Sequence, residues 1–422
     1  MTHILDELRW RGLVALSTDE SALRAAFDAG PVTCYCGFDP TAPSLHVGHL
    51  VQVLTLRRLQ RAGNRPLALV GGATGLIGDP KPTAERALHD RDVVAEWAER
   101  LHRQIEPFLD FTGDFAARMV NNLDWTASLS AIDFLRDVGK HFRVNRMLAK
   151  ESVSARLASD AGISFTEFSY QLLQGLDFLE LYRRYGCTLQ TGGSDQWGNL
   201  TAGADFIHRV EGTSVHLLAT PLVLKADGTK FGKSDSGSVW LDPAMTSPYA
   251  FYQFWLGADD RDVCTYLRYF SDSSPEAVAA LDVATSERPA ERLAQRALAA
   301  ELTTLVHGAA ETGRVQAASE ALFGRGALEE LDPATLQAAL AEAPCAQVGA
   351  GPLPSVVELF VSTGLVASRS QARRTVAEGG AYLNNRRVTD EAAVPGPEDL
   401  LHGRWLVLRR GKRQVAGVRR AG

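Results

Sequence analysis

The stretch Cys34-Tyr35-Cys36-Gly37-Phe38-Asp39-Pro40-Thr41-Ala42-Pro43-Ser44-Leu45-His46-Val47-Gly48-His49-Leu50 decides how the rest of the chain is read. A β-prone run over 32–38 stops at Asp39-Pro40 and a helix begins near His46, so this is a strand-to-helix junction. The first N–H groups of a helix lack intrahelical partners and its macrodipole turns the positive end toward the loop, which stabilises an anion there. His46 and His49 are three apart, share a face of the first turn and can add ring N–H donors. Gly48 between them leaves the backbone open to a flat group such as a nucleotide base. Two histidines at this spacing also suit a metal or a plain polar helix start, but no third or fourth ligand of suitable type lies nearby in the sequence.

Working outward, strand 32–38, helix 46–62 and strand 66–70 before Gly71-Gly72 make a βαβ unit, whose crossover is right-handed and whose ligands gather at the strands' carboxyl ends. Asp39 and Thr41 follow the first strand, and Asp79 lies in the Gly-rich loop after the second. Residues 4–28 and 123–155 read as helical. Over a helix at 166–182, Tyr170, Gln174 and Asp177 at i, i+4 and i+7 form a polar stripe opposite Leu172, Leu173 and Leu176. Such a stripe ordinarily faces solvent. Leu189-Gln190-Thr191 runs into Gly192 to Gln196, a strand end opening onto a helix with Asp195 placed as its cap.

From residue 247 helical patterns take over, and residues 343–353 have the Pro and Gly content of a linker. Residues 354–422 carry 12 Arg plus Lys against 6 Asp plus Glu, a net +6, so the remainder of this −6 chain is −12. That local field suits a polyanion. Within it Ser368 caps a helix bearing Arg369, Arg373 and Arg374, Gly379-Gly380 ends the helix, and Asn384-Asn385-Arg386-Arg387 reads as a hairpin turn. At 422 residues with 45% hydrophobic side chains, the chain is long enough for two or three domains. No apolar run reaches membrane-spanning length, and five scattered cysteines without a Cys-x-x-Cys pair argue against a disulfide framework or zinc site. A cytoplasmic protein with reduced thiols and no membrane partner is expected.

Far downstream, Lys230-Phe231-Gly232-Lys233-Ser234 follows the loop-like Lys225-Ala226-Asp227-Gly228-Thr229. With His46-Val47-Gly48-His49 it resembles the paired HIGH and KMSKS signatures of class I aminoacyl-tRNA synthetases. Tyr35-Cys36-Gly37-Phe38-Asp39-Pro40-Thr41, Gly71 through Pro80, and Gly192-Gly193-Ser194-Asp195-Gln196-Trp197-Gly198-Asn199 are similar to the motifs of the bacterial tyrosyl-tRNA synthetase family. The resemblance spans essentially the whole chain.

It implies an α/β fold: a Rossmann-like catalytic domain with a parallel sheet over residues 1–246, an α-helical anticodon-binding domain over 247–342, and a small α+β RNA-binding domain over 354–422. It implies a dimer-forming insertion at about 123–160 and a lysine loop at 225–236. It implies tyrosine, ATP with Mg2+ and tRNA(Tyr) as partners, a homodimer, no protein-bound metal and no DNA. The reaction would join tyrosine to ATP as an adenylate, release pyrophosphate, and pass the tyrosyl group to the tRNA 3′ end.

By the same resemblance Thr41, His46, His49, Lys230 and Lys233 would be catalytic. Tyr35, Asp79, Tyr170, Gln174, Asp177, Gln190 and Gln196 would hold tyrosine, with Asp79, Tyr170 and Gln174 on its ammonium. Cys36, Gly37, Asp39, Gly48, Gly192, Asp195, Phe231 and Ser234 would join Thr41, His46, His49, Lys230 and Lys233 around ATP. Arg369, Arg373, Arg374, Arg386 and Arg387 would contact tRNA. Lys81 and Arg86 lie in a stretch that departs from the family's basic loop, and they receive no role. A carboxylate nucleophile is already ionised at neutral pH, so such an enzyme needs alignment and charge stabilisation rather than a nucleophile of its own. Tyr35 with Asp177 favours tyrosine over tryptophan as the amino acid.

Overall fold

The computed structural model describes residues 3–80, 88–160, 162–229, 231–234, 237–324, 326–412 and 414–421, with only the backbone given for 151, 233 and 234. The chain forms two compact units, Met1–Asp242 with Asp259–Ala280, and Pro243–Ala258 with Leu281–Gly422.

The first unit is built on six strands, β1 (Leu16–Ser17), β2 (Thr33–Phe38), β3 (Arg65–Val70), β4 (Arg118–Asn121), β5 (Cys187–Gly193) and β6 (His216–Thr220), in a sheet of order β1-β6-β5-β2-β3-β4. All neighbours are parallel except β1 with β6. A separate two-stranded ribbon, β7 (Lys233–Ser234) and β8 (Gly237–Ser238), follows. The strands β2 and β3 are nearly continuous buried runs, as expected of a sheet covered on both faces. The helices Val47–Arg61 and Phe165–Tyr185 are buried on more than one side. The polar stripe Tyr170-Gln174-Asp177 therefore lies inside the protein: Tyr170 and Asp177 are buried, along with Leu172 and Leu176. Tertiary packing outweighed the usual placement of such residues.

Two further corrections concern the expected boundaries. Helix Asp260–Phe270 belongs to the first unit, although its sequence pattern continues the helical domain expected from 247. Its end is gripped there, since Arg11 Nη1 and Arg58 Nη2 both donate to the carbonyl of Ser271, at 2.8 and 3.0 Å. The expected linker 343–353 also contains a strand. The second unit's sheet is made of β9 (Cys345–Val348), β10 (Ala381–Leu383), β11 (Arg386–Arg387), β12 (Trp405–Arg410) and β13 (Gln414–Arg420), in the order β11-β10-β12-β13-β9 with β9 parallel to β13. A four-residue strand between Pro344 and Gly349 is too short to show through their turn-forming signal.

In the same unit Ser368 Oγ accepts from Gln371 N, so the expected cap is present. Asn384 and Asn385 both take positive φ, 45° and 63°, as the tight turn between β10 and β11 demands, which leaves Arg386 and Arg387 on the strand. Asn385 Nδ2 donates to the carbonyl of Ala321 at 2.6 Å, tying the sheet to helix Ala309–Leu322.

Candidate active site

The carboxyl ends of β2, β3, β4 and β5 converge on one edge of the parallel sheet, where topology places ligand sites in open α/β folds. Helix Val47–Arg61 starts at this edge. His46 is its N-cap, and its Nδ1 accepts from Gly48 N at 3.0 Å while His49 Nδ1 accepts from His46 N at 3.2 Å. The rings stack with centroids 3.9 Å apart. Burial holds the His46 imidazole below its ordinary range, and burial together with His46 pushes His49 down to about 3. Both rings are therefore neutral near pH 7. Because each Nδ1 accepts, each proton sits on Nε2, which leaves one outward donor per ring. A Cβ on Gly48 would lie 2.8 Å from the His46 ring, so only glycine permits this cap.

The lysine-loop segment reaches this helix start. The strands β7 and β8 pair antiparallel, and the chain leaving their ribbon pairs with the junction. Val47 N donates to Val239 O at 3.0 Å and Leu241 N to Leu45 O at 2.8 Å. Gly232 lies so close that a Cβ would stand 3.0 Å from Val47 Cγ2. The Phe231 ring stands 4.8 Å from that of Tyr266 and stacks 5.5 Å from that of Phe270, which places it against helix Asp260–Phe270. Phe231 thus anchors the loop from behind. Lys230 lies outside the described residues, as do Lys81 and Arg86, and only the backbone of Lys233 and Ser234 is given.

Beside the helix start a buried polar chain crosses the sheet edge. Asp39, just past β2, accepts from Tyr170 OH at 2.7 Å and Thr74 Oγ1 at 2.6 Å. Asn122 Nδ2 donates to Thr74 Oγ1 at 2.9 Å and to Asp177 Oδ2 at 3.0 Å, and Trp125 Nε1 donates to Asp177 Oδ1 at 2.9 Å. Burial pushes the Asp177 carboxyl up to about 7, with Asn122 and Trp125 acting in the opposite direction. Tyr35 and Gln190 are direct neighbours across β2 and β5. The Tyr35 hydroxyl, Gln174 Oε1 and Gln190 Oε1 are buried polar atoms without a hydrogen-bond partner among the described residues. Three such atoms in the company of a buried carboxylate fit a ligand that carries polar groups of its own.

Asp79, expected on the substrate ammonium, has protein partners of its own here. Its Oδ1 accepts from Lys150 Nζ at 3.0 Å and Asn199 Nδ2 at 3.2 Å, and its Oδ2 from Gln196 Nε2 at 3.2 Å, whereas Tyr170 is committed to Asp39. The expected cap is also displaced. Helix Trp197–Glu211 has Gln196 at its N-cap, so Asp195 sits one residue earlier in a short 3-10 turn and is not spent on capping. Cys36 and Gly37 lie on β2, Thr41 two residues past Asp39, and Gly192 on β5. The Cys36 thiol faces Gln52, whose amide donates to Thr220 Oγ1 at 2.6 Å.

Sequence reasoning missed Thr74, Asn122, Trp125, Lys150 and Asn199. Asn122 directly follows the fourth strand, and Thr74 and Asn199 lie within the quoted motifs, whereas Trp125 and Lys150 are joined to the site only by the fold. The five arginines belong to the second unit, where Arg369 pairs with Glu358, Arg373 with Glu391, Arg374 with Glu378 and Arg386 with Glu329, all at exposed positions. Arg387 instead lies across Gly379, where a Cβ would collide with its guanidinium.

Comparison with known proteins agrees with this geometry. Residues 28–324 match the family model for class I tRNA synthetases (W and Y), and residues 335–416 match that for the tyrosine–tRNA ligase SYY-like C-terminal domain. The tyrosine–tRNA ligase of Streptomyces avermitilis is 71% identical over 99% of both chains, and that of Streptomyces coelicolor 70% identical over 99% of both. The crystal structure of a C-terminally truncated mitochondrial tyrosyl-tRNA synthetase from Coccidioides posadasii superposes with a TM-score of 0.66 at 30% identity, covering 75% of this chain and 91% of that one. A histidine-capped helix start met by a lysine-bearing ribbon on a parallel sheet, with relatives this similar along the entire length, leads to one conclusion: the chain belongs to the tyrosine–tRNA ligase family of class I tRNA synthetases.

Proposed function

We propose that this enzyme activates tyrosine with ATP to tyrosyl-adenylate and pyrophosphate, then transfers the tyrosyl group to the 3′ end of tRNA(Tyr). The observation that carries this reading is the docking of the ribbon on the histidine cap by the two hydrogen bonds of Val47 and Leu241. It brings the segment that carries Lys233 to a helix start bearing two imidazole donors, and alignment of this kind supports an in-line attack on the α-phosphate.

In this reading the Nε2–H groups of His46 and His49, the Thr41 hydroxyl, and Lys230 and Lys233 receive the triphosphate, each charge-assisted contact contributing about 1.5 to 3 kcal/mol. Magnesium arrives as the counterion of ATP. Cys36, Gly37, Asp39, Gly48, Gly192, Asp195 and Ser234 complete the nucleotide's surroundings, whereas the Phe231 ring is turned to Tyr266 and Phe270 and holds the loop rather than the nucleotide. Tyr35 and Asp177 receive the tyrosine hydroxyl, while Gln174, Gln190, Gln196, Tyr170 and Asp79 surround the amino-acid end. Arg369, Arg373, Arg374, Arg386 and Arg387 contact the tRNA backbone, and the exposed glutamate pairs of the first four are weak enough to exchange for phosphate. No described helix is long and apolar enough to cross a membrane. We place the enzyme in the cytoplasm, where tRNA charging takes place.

A homodimer is proposed through the insertion at about 123–160 together with Phe165 at the start of the following helix. Ile132 and Phe165 there are 70% and 71% exposed, and Leu135, Val144 and Leu157 are also exposed. So many open apolar side chains in one segment mark an association surface. Phe165→Asp should halve the mass seen by sedimentation; an unchanged dimer would remove this surface from the interface.

Pyrophosphate exchange measured with every amino acid should respond to tyrosine alone, and strong exchange with tryptophan would overturn the assignment. In the same preparation Arg387→Glu should lower tRNA charging and leave exchange intact. For Tyr35→Phe the preference for tyrosine over phenylalanine should fall about 10- to 100-fold, because an unpaired buried polar group costs about 1 to 3 kcal/mol. Tyrosyl-tRNA synthetases are the standard example of a site that rejects a substrate lacking the hydroxyl it is built to bind. An unaltered ratio would take Tyr35 out of the pocket.

A further inference from the structure

Lys150 carries a charge into the amino-acid site that no role above uses. Its Nζ lies 3.0 Å from Asp79 Oδ1 and 2.9 Å from Asn199 Oδ1. Asn199 Nδ2 in turn donates to Gln196 Oε1 at 2.8 Å, and Gln196 Nε2 donates to Asp79 Oδ2 at 3.2 Å. The Lys150 and Asp79 side chains are 10% and 18% exposed. This is a closed seat for an ammonium: a carboxylate and an amide carbonyl receive two of its three N–H groups.

We propose that Lys150 is the resident cation of the substrate-ammonium subsite, and that tyrosine binds by displacing its Nζ from Asp79. The inference rests on the assignment of Asp79 to the substrate ammonium.

Two observations support displacement rather than sharing. The Asp79 carboxylate is already ringed by Lys150, Asn199 and Gln196, so a second ammonium would face the first at close range, where like charges repel strongly away from bulk water. The lysine also has somewhere to go. It borders a cavity of about 350 Å³ whose lining includes Gln171, Thr201 and Asp205 as well as Arg143, Arg146 and Arg209. Its four-carbon stem has the rotatable bonds to turn the Nζ that way, toward water in the cavity and the carboxylate of Asp205, which it would share with Arg146 and Arg209.

Exchange of one ammonium for another has a clear physical purpose. In the substrate-free protein Asp79 is a largely buried carboxylate whose countercharge is Lys150, and a carboxylate so placed without one is costly. The same countercharge subtracts from the affinity of any ligand that brings its own ammonium. A ligand without one leaves Lys150 in its seat.

The test measures dissociation constants by calorimetry on the full chain with three probes: tyrosine, tyramine and 3-(4-hydroxyphenyl)propionate. Lys150→Met, which keeps the stem and removes the charge, should tighten tyrosine and tyramine by about fivefold or more and leave the propionate unchanged. Lys150→Arg keeps the competing charge and should stay within about twofold of the native chain for all three. Unchanged or weaker tyramine binding by Lys150→Met, or an equal shift for all three probes, would overturn the displacement. Asp79→Asn separates the two layers. If it leaves the tyrosine-to-propionate ratio intact, the ammonium assignment fails and the inference with it. If it collapses that ratio while Lys150→Met changes nothing, only the displacement fails.

Discussion

Two backbone hydrogen bonds, Val47 N to Val239 O and Leu241 N to Leu45 O, join parts of the chain nearly two hundred residues apart, and the site depends on them. Neither partner alone would suffice. The helix start offers two neutral imidazoles, while the ribbon brings the backbone segment that carries Lys233, which has no reason of its own to be near them. Because the contact is made by backbone atoms, it fixes position without consuming the side chains that chemistry needs. Glycine at 232 is what allows so close an approach, as a Cβ there would stand 3.0 Å from Val47 Cγ2.

Around that contact the protein holds its carboxylates in contrasting states. Asp39 is satisfied by Tyr170 and Thr74, and Asp79 by Lys150, Asn199 and Gln196. Asp177 is buried deeply enough to be pushed up to about 7 despite two donors. It therefore stands near the boundary between accepting and donating a hydrogen bond, beside a Tyr35 hydroxyl whose burial raises it well above the ordinary phenol range. Such a pair can receive a hydroxyl and is left unsatisfied by a hydrocarbon edge.

Much of this was legible because it is local. The junction at Asp39-Pro40, the helix beginning at His46, the following strand and the Ser368 cap each rest on a few adjacent residues, and local turn and capping chemistry decided them. What local pattern alone did not show was decided at a distance. The Tyr170-Gln174-Asp177 stripe turned inward because strands and a helix far away in sequence close over it. Helix Asp260–Phe270 changed units because Arg11 and Arg58 hold its end. Asp195 lost its capping place when a short 3-10 turn carried the cap on to Gln196. Lys150 carries no periodicity or motif, and Asn199, although it ends the motif that starts at Gly192, shows no role until the fold brings both to Asp79.

The docking of the ribbon on the histidine cap is tested most directly by Gly232→Val, since Gly232 has φ 83° and faces Val47 at the contact. A β-branched residue is strained at that angle and would push the ribbon away from the helix start. Rapid-quench measurement of tyrosyl-adenylate formation, alongside tyrosine affinity by equilibrium dialysis, should show the rate reduced by more than about tenfold with affinity unchanged. A native rate in the variant would contradict the account, because the chemistry would then proceed without the contact on which the site rests.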